Sequence, residues 1–194
     1  MFKAQGIGHR FGSRWLFREL EIELQPGMVL AILGRNGSGK STLLRILARL
    51  LDPTEGRVVQ TPAVGYAALD LALYPSLTGR QHVDLRAALA GTSAASGYLA
   101  EFDLARAEDQ LVSEYSTGMR VRLKLALALL GKPPVLILDE PTASLDREGV
   151  SLIERIIQQQ ILGGAVLMAT NDPDDLRHAT HSLNLDEHAS NTLS

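Results

Sequence analysis

The chain has 194 residues, 45% of them hydrophobic and 21% charged, with a formal net charge of −3 and no cysteine. That is room for one sizeable core and hardly for two independent domains, in a composition typical of globular proteins and not of disordered or fibrous ones. The charge balance gives no overall basic footprint for nucleic acid, the missing cysteines remove disulfides and thiolate metal sites, and apolar runs such as Val135–Leu138 and Ala165–Met168 fall far short of the roughly 20 residues that cross a bilayer.

Met1-Phe2-Lys3-Ala4-Gln5 lacks the apolar stretch of a secretory signal, so a cytoplasmic location is the expectation. Three extended stretches then open the chain, Gly6–Phe11, Glu19–Leu24 and Met28–Leu33, separated by the turn residues Gly12-Ser13 and Pro26-Gly27. The third runs into Gly34-Arg35-Asn36-Gly37-Ser38-Gly39-Lys40-Ser41-Thr42, and Ser41–Leu51 continues with helical spacing. A strand, a glycine-rich turn and a helix in that order form a triphosphate cradle, Gly-x-x-x-x-Gly-Lys-Ser. The glycines let backbone N–H groups of Gly34, Asn36, Gly37, Ser38 and Gly39 converge on phosphate oxygens, and the helix N-terminus at Lys40, Ser41 and Thr42 adds partial positive charge. Lys40 supplies a point charge to the outer phosphates, and the Ser41 hydroxyl is placed as a magnesium ligand. The chain is expected to bind ATP or GTP.

Asp52–Gly56 reads as a turn before an extended stretch from Arg57 towards Val64, and Tyr74–Glu114 as helices and loops with a flexible connection at Gly91–Gly97. Val121–Leu130 is a helix ended by Gly131 and Pro133-Pro134. Val135–Leu138 and Ala165–Ala169 are buried strands flanking a helix at Ser151–Gln160, and the tail after His188 is polar and loose. Alternating strands and helices call for an α/β fold with a parallel sheet covered on both faces. The basic stretch Arg120, Arg122, Lys124 reads equally well as a solvated helix face.

Val135–Leu138 ends in Asp139-Glu140. By themselves two acids after a strand serve as a turn or helix cap. Behind a phosphate loop they read as a magnesium ligand (Asp139) and a group that polarises or deprotonates an attacking water (Glu140).

With these residues in hand, the chain resembles the ATPase subunit of ATP-binding cassette (ABC) transporters over nearly its whole length. Tyr115-Ser116-Thr117-Gly118-Met119-Arg120 resembles the family signature, Ser144-Leu145-Asp146 the loop that crosses between subunits, and Phe11 the aromatic that stacks on adenine. Ser116 would serve as a helix N-cap in any case, and the two roles are compatible. Phe11 fits core packing nearly as well. The resemblance implies a P-loop core with a mostly parallel sheet, an N-terminal antiparallel β subdomain and a small helical insert. It also implies one domain over 1–194, with about 1–68 and 116–188 as core and about 70–115 as insert. It further implies ATP and Mg²⁺ as cofactors and a head-to-tail homodimer, or pairing with another ATPase subunit, in which Ser116, Gly118 and Asp146 face the partner's nucleotide. A transmembrane permease would hold the chain on the inner face of the membrane, and nucleic acid is not an expected partner. The form of the signature is similar to ATPases of small exporters, of the haem-exporter type or the drug and polysaccharide exporters.

Two positions depart from the family pattern. Leu69 stands where a magnesium-sensing glutamine is usual, with Asp70 beside it, and Asn171 stands in place of histidine. An amide at 171 donates to a γ-phosphate oxygen but takes no proton, so slow hydrolysis is expected. The expected function is an ATP-hydrolysing subunit powering a membrane transporter; the alternative is a degenerate cassette that binds ATP as a regulatory or structural partner. The segment Asp70–Val83 is expected to offer an apolar groove to the permease through Leu71 and Leu73.

Overall fold

The computed structural model describes residues 2–60, 62–143 and 145–188. Ser144 and the tail beyond His188, both named above, lie outside them.

β1 (Phe2–Phe11) and β2 (Arg14–Leu24) form an antiparallel hairpin whose closing pair is Phe11 and Arg14. The two residues between them, with Gly12 at φ 58°, match the right-handed twist of the flanking strands. β4 (Glu55–Gln60) pairs with the other edge of β1, giving the order β2-β1-β4. The hairpin is longer than the sequence patterns suggest, because its outer residues alternate with bulges and hide their apolar period.

The second sheet is parallel, in the order β5 (Val64–Ala68), β6 (Val135–Asp139), β7 (Ala165–Ala169), β3 (Val29–Leu33), β8 (His181–Asn184). The single extended stretch expected from Arg57 towards Val64 is therefore two strands in different sheets. The expected α/β class, with its antiparallel N-terminal sheet, is what the chain forms. β6 and β7 are buried throughout, which requires helices on both faces. α1 (Lys40–Leu47) lies on one face, and α3 (Thr117–Leu129) and α4 (Arg147–Gln160) on the other.

Alternation along the strands divides the core in two. Val135, Ile137 and Leu167 pack with α1 and the antiparallel sheet. Leu136, Leu138, Val166 and Met168 pack with α3, α4 and the segment 79–112, where Val83, Leu99, Phe102 and Val112 lie. That segment holds one α-helix, α2 (Gly79–Leu89), and otherwise short 3-10 turns. Thr78 and Gln81 form a reciprocal capping box that starts α2.

Candidate functional site

Strand order decides which residues meet. In register, Ala68 lies beside Asp139, Asp139 beside Ala169, and Ala169 beside Ile32. The C-terminal edge of the sheet therefore brings together the loops that begin at Leu69, Glu140, Thr170 and Gly34, the edge at which parallel α/β sheets hold ligands.

The loop after β3 has the backbone that its glycines were expected to permit. Gly34, Gly37 and Gly39 have φ of 143°, 80° and 103°, and a Cβ on Gly39 would stand 3.0 Å from both Leu16 Cδ1 and Phe17 Cε1. Gly39 is the N-cap of α1, so Lys40, Ser41 and Thr42 form its first turn. Outside the loop, Asp186 fastens it through the Arg35 N–H (3.1 Å) and the Arg35 guanidinium (3.5 Å). Nothing in the sequence pattern marks Asp186.

Lys40 is 7% exposed, and its Nζ donates to Gly34 O (2.8 Å), to Arg35 O (3.5 Å) and to Asn171 Oδ1 (3.1 Å). Asn171 Nδ2 donates in turn to Asn36 Oδ1 (2.9 Å) and to Glu140 Oε1 (3.0 Å). One amide thus ties the phosphate loop to the acid after β6. Both of its N–H donors are already engaged, so an outer phosphate would receive one only after Asn36 or Glu140 released it. Glu140 holds a left-handed backbone (φ 51°), with its N–H bonded to Ala169 O at 2.8 Å.

A second device sets these loops against each other. Asp175, 6% exposed, accepts from Thr170 Oγ1 (2.6 Å) and Thr142 Oγ1 (3.0 Å), joining the segment after Asn171's strand to the segment after Glu140. This carboxylate also escaped sequence reasoning, because both of its partners are more than four residues away along the chain.

Electrostatics single out the acidic pair. Burial pushes the Asp139 carboxyl above its ordinary pKa, against the opposing Ser41 hydroxyl, and burial pushes Glu140 up against the opposing Lys40 ammonium. Asp139 is 7% exposed, and its buried Oδ1 has no hydrogen-bond partner among the described residues. A buried carboxylate oxygen without a donor is costly in isolation but suits a hard divalent cation. With the Ser41 hydroxyl alongside, Asp139 fits magnesium.

The other predicted positions stand apart from this network. Phe11 is 60% exposed at the end of β1, edge-on to His9 at 5.2 Å, so it is free to stack and is not core. Ser116 caps α3 by accepting from the Met119 N–H (3.2 Å), and a Cβ on Gly118 would meet nothing within 4 Å. Asp146 caps α4 through the Gly149 N–H (2.8 Å) and lies 3.5 Å from Arg122. Asp70 is paired with Arg45 of α1, and Leu69 is 40% exposed. The basic stretch is not a solvated face: Arg122 is bound to Asp103 at 2.9 Å and Lys124 is buried. A cleft of about 860 Å³ between α4 and the turn at Tyr98–Phe102 is lined by none of the predicted site residues.

Residues 17–143 match the ABC transporter family. The chain is 34% identical over 174 residues to the cytochrome c biogenesis ATP-binding export protein CcmA of Hyphomonas neptunium, covering 89% of this chain and 90% of that protein. It is 36% identical over 172 residues to the zinc import ATP-binding protein ZnuC of Yersinia enterocolitica, covering 86% of this chain and 68% of that protein. In fold it superposes on the ATP-binding cassette MJ0796, determined as a dimer in a post-hydrolysis state bound to ADP and Pi. The TM-score is 0.84 at 24% identity, covering 95% of this chain and 94% of that one.

Proposed function

The chain belongs to the ABC transporter family, and from that premise we propose that it is the ATP-hydrolysing subunit that powers a membrane transporter, an exporter in our reading. The observation that carries this is the continuous chain of hydrogen bonds from Lys40 through Asn171 to Glu140. It joins a phosphate-binding cation to a carboxylate positioned as a general base.

In this reading the amides of the loop 34–39 and Lys40 bind the phosphates, while Phe11 offers its exposed face to adenine. Asp139 and Ser41 would hold magnesium, which supplies charge neutralisation at the outer phosphates. Glu140 accepts the proton of the attacking water, and Asn171 keeps its Oε1 in place. Ser116, Gly118 and Asp146 face the nucleotide of a second copy in a head-to-tail homodimer, a reading supported by the exposure of Ser116 at the N-terminus of α3 and of Asp146 at that of α4. Among the described residues no helix is long and apolar enough to cross a membrane. In this reading the chain meets the membrane through a permease. Leu71 and Leu73 are half-buried and, with Pro75 and Val112, form the apolar wall of a cavity of about 140 Å³ whose other wall is Ser113, Arg120 and Lys124; the apolar wall suits a segment of that partner.

The test is Glu140→Gln, which retains the pocket and removes the base. With ATP and Mg²⁺ it is expected to run as a stable dimer by gel filtration with light scattering, whereas the native chain turns ATP over and returns to monomer. A variant that stays monomeric while ATP is bound would overturn the sandwich, and native protein that binds ATP without turnover would overturn the hydrolytic role.

A further inference from the structure

Lys124 occupies a position that an apolar residue would ordinarily hold. It lies one turn after Val121 and one before Ala128 on the buried face of α3, and is 8% exposed. Placing an ammonium there costs desolvation, and burial lowers its pKa against the opposing field of Asp70. No ion pair compensates it among the described residues. Its Nζ instead donates to a main-chain carbonyl, that of Leu69.

Leu69 is the first residue beyond Ala68, which pairs with Asp139 at the sheet edge. Its side chain has no group able to reach the site, so a link through this loop has to run through the backbone. Lys124 faces both ends of that link. On one side it lines a crevice with Leu69, Asp139, Glu140 and Pro141. On the other it lines the groove of Leu71, Leu73 and Pro75. The helix that carries it is seated hard on β5, since a Cβ on Gly65 would stand 2.2 Å from Ala128 O. The contact leaves no slack between α3 and the strand that leads into this loop, and α3 is also the helix that opens with Ser116 and Gly118.

We propose that Lys124 is a positioning residue for hydrolysis: by holding the Leu69 carbonyl against α3 it fixes the 69–73 loop and joins the groove at Leu71 and Leu73 to the Asp139–Glu140 pair. The functional half of this inference rests on the ATPase reading above; the structural half does not.

The experiment uses the native chain, Lys124→Met, which fills similar volume without a donor, and Lys124→Arg, which keeps one. In the absence of nucleotide, amide hydrogen exchange is followed at Leu71, whose N–H bonds Ala68 O at 3.2 Å. Lys124→Met is expected to speed exchange there on the order of 10-fold with no fall in Tm, and Lys124→Arg to restore protection. With ATP, Lys124→Met is expected to lower kcat about 5-fold or more while KM stays within about 2-fold, the mark of lost positioning and not of lost binding. Unchanged exchange at Leu71 overturns the positioning role whatever the ATP kinetics show. Faster exchange with unaltered kcat overturns the link to the acidic pair. Native protein that fails to bind ATP defeats the ATPase reading and with it the kinetic half, while the exchange result still decides whether Lys124 holds the loop.

Discussion

Asn171 and Glu140 stand in the loops that follow two neighbouring strands, β7 and β6, and the amide Nδ2 of one lies 3.0 Å from the carboxylate Oε1 of the other. The bond fixes which carboxylate oxygen faces the amide. Asn171→Ala is expected to lower kcat by about 10- to 100-fold with KM little changed, because it removes a donor that orients the carboxylate proposed as the base. Asn171→Asp replaces that donor with a like charge, which disfavours the Glu140 carboxylate, so the acid limb of the pH–rate profile should move to higher pH. Native kcat in the alanine variant would place Asn171 outside the reaction.

Lys40 opens α1 directly after the loop, and its Nζ is held by Gly34 O and Asn171 Oδ1. Lys40→Ala is expected to weaken ATP binding by about 10- to 100-fold, the equivalent of roughly 1.5–3 kcal/mol for a charge-assisted hydrogen bond. Titration calorimetry checks it, and unchanged affinity would remove the loop from the nucleotide site.

The raised pKa of Asp139 makes a stability prediction. The native state holds this proton more tightly than the unfolded chain, so the stabilising contribution is complete below the ordinary value of 3.8 and is lost as pH rises through the higher native value. Asp139→Asn should therefore raise Tm at pH 7 and lose that advantage near pH 3.5, while abolishing magnesium-dependent hydrolysis. A variant less stable than native at pH 7 would contradict the account of its unpartnered Oδ1.

Asp175 serves two hydroxyls, that of buried Thr170 and that of half-buried Thr142. Asp175→Ala is expected to lower stability by about 2–3 kcal/mol, since both donors lose a charged acceptor. Asp175→Asn, which keeps a carbonyl oxygen, should recover part of this. Thermal melts of both variants against the native chain decide it, and a native melting point in Asp175→Ala would show that the bridge carries no weight.

Much of this was readable before the structure. The phosphate loop declares itself because strand, glycine turn and helix are adjacent in sequence, and β6 because the apolar run Val135–Leu138 ends in two acids, Asp139 and Glu140. Strand β8 was not legible: His181–Asn184 is a short edge strand with exposed and half-buried residues and no apolar run. Lys124 misled for a different reason. Arg120, Arg122 and Lys124 look alike in sequence, yet two residues along a helix turn a side chain by about 200°, which sets Arg122 apart from the other two, and on their shared face Arg120 is half-buried while Lys124 is buried. The contacts of Asp175 and Asp186 depend on strand order, which no local pattern encodes.

The division of the core has a consequence for how the molecule comes apart. Val135 and Ile137 face one layer while Leu136 and Leu138 face the other, so one strand is a shared wall. The segment read from sequence as an insert closes the second layer with Val83, Leu99 and Phe102. Excising it would strip the cover from the strand that carries Asp139. Neither layer can melt while the other stays intact, and a calorimeter should see one endotherm whose van't Hoff and calorimetric enthalpies agree.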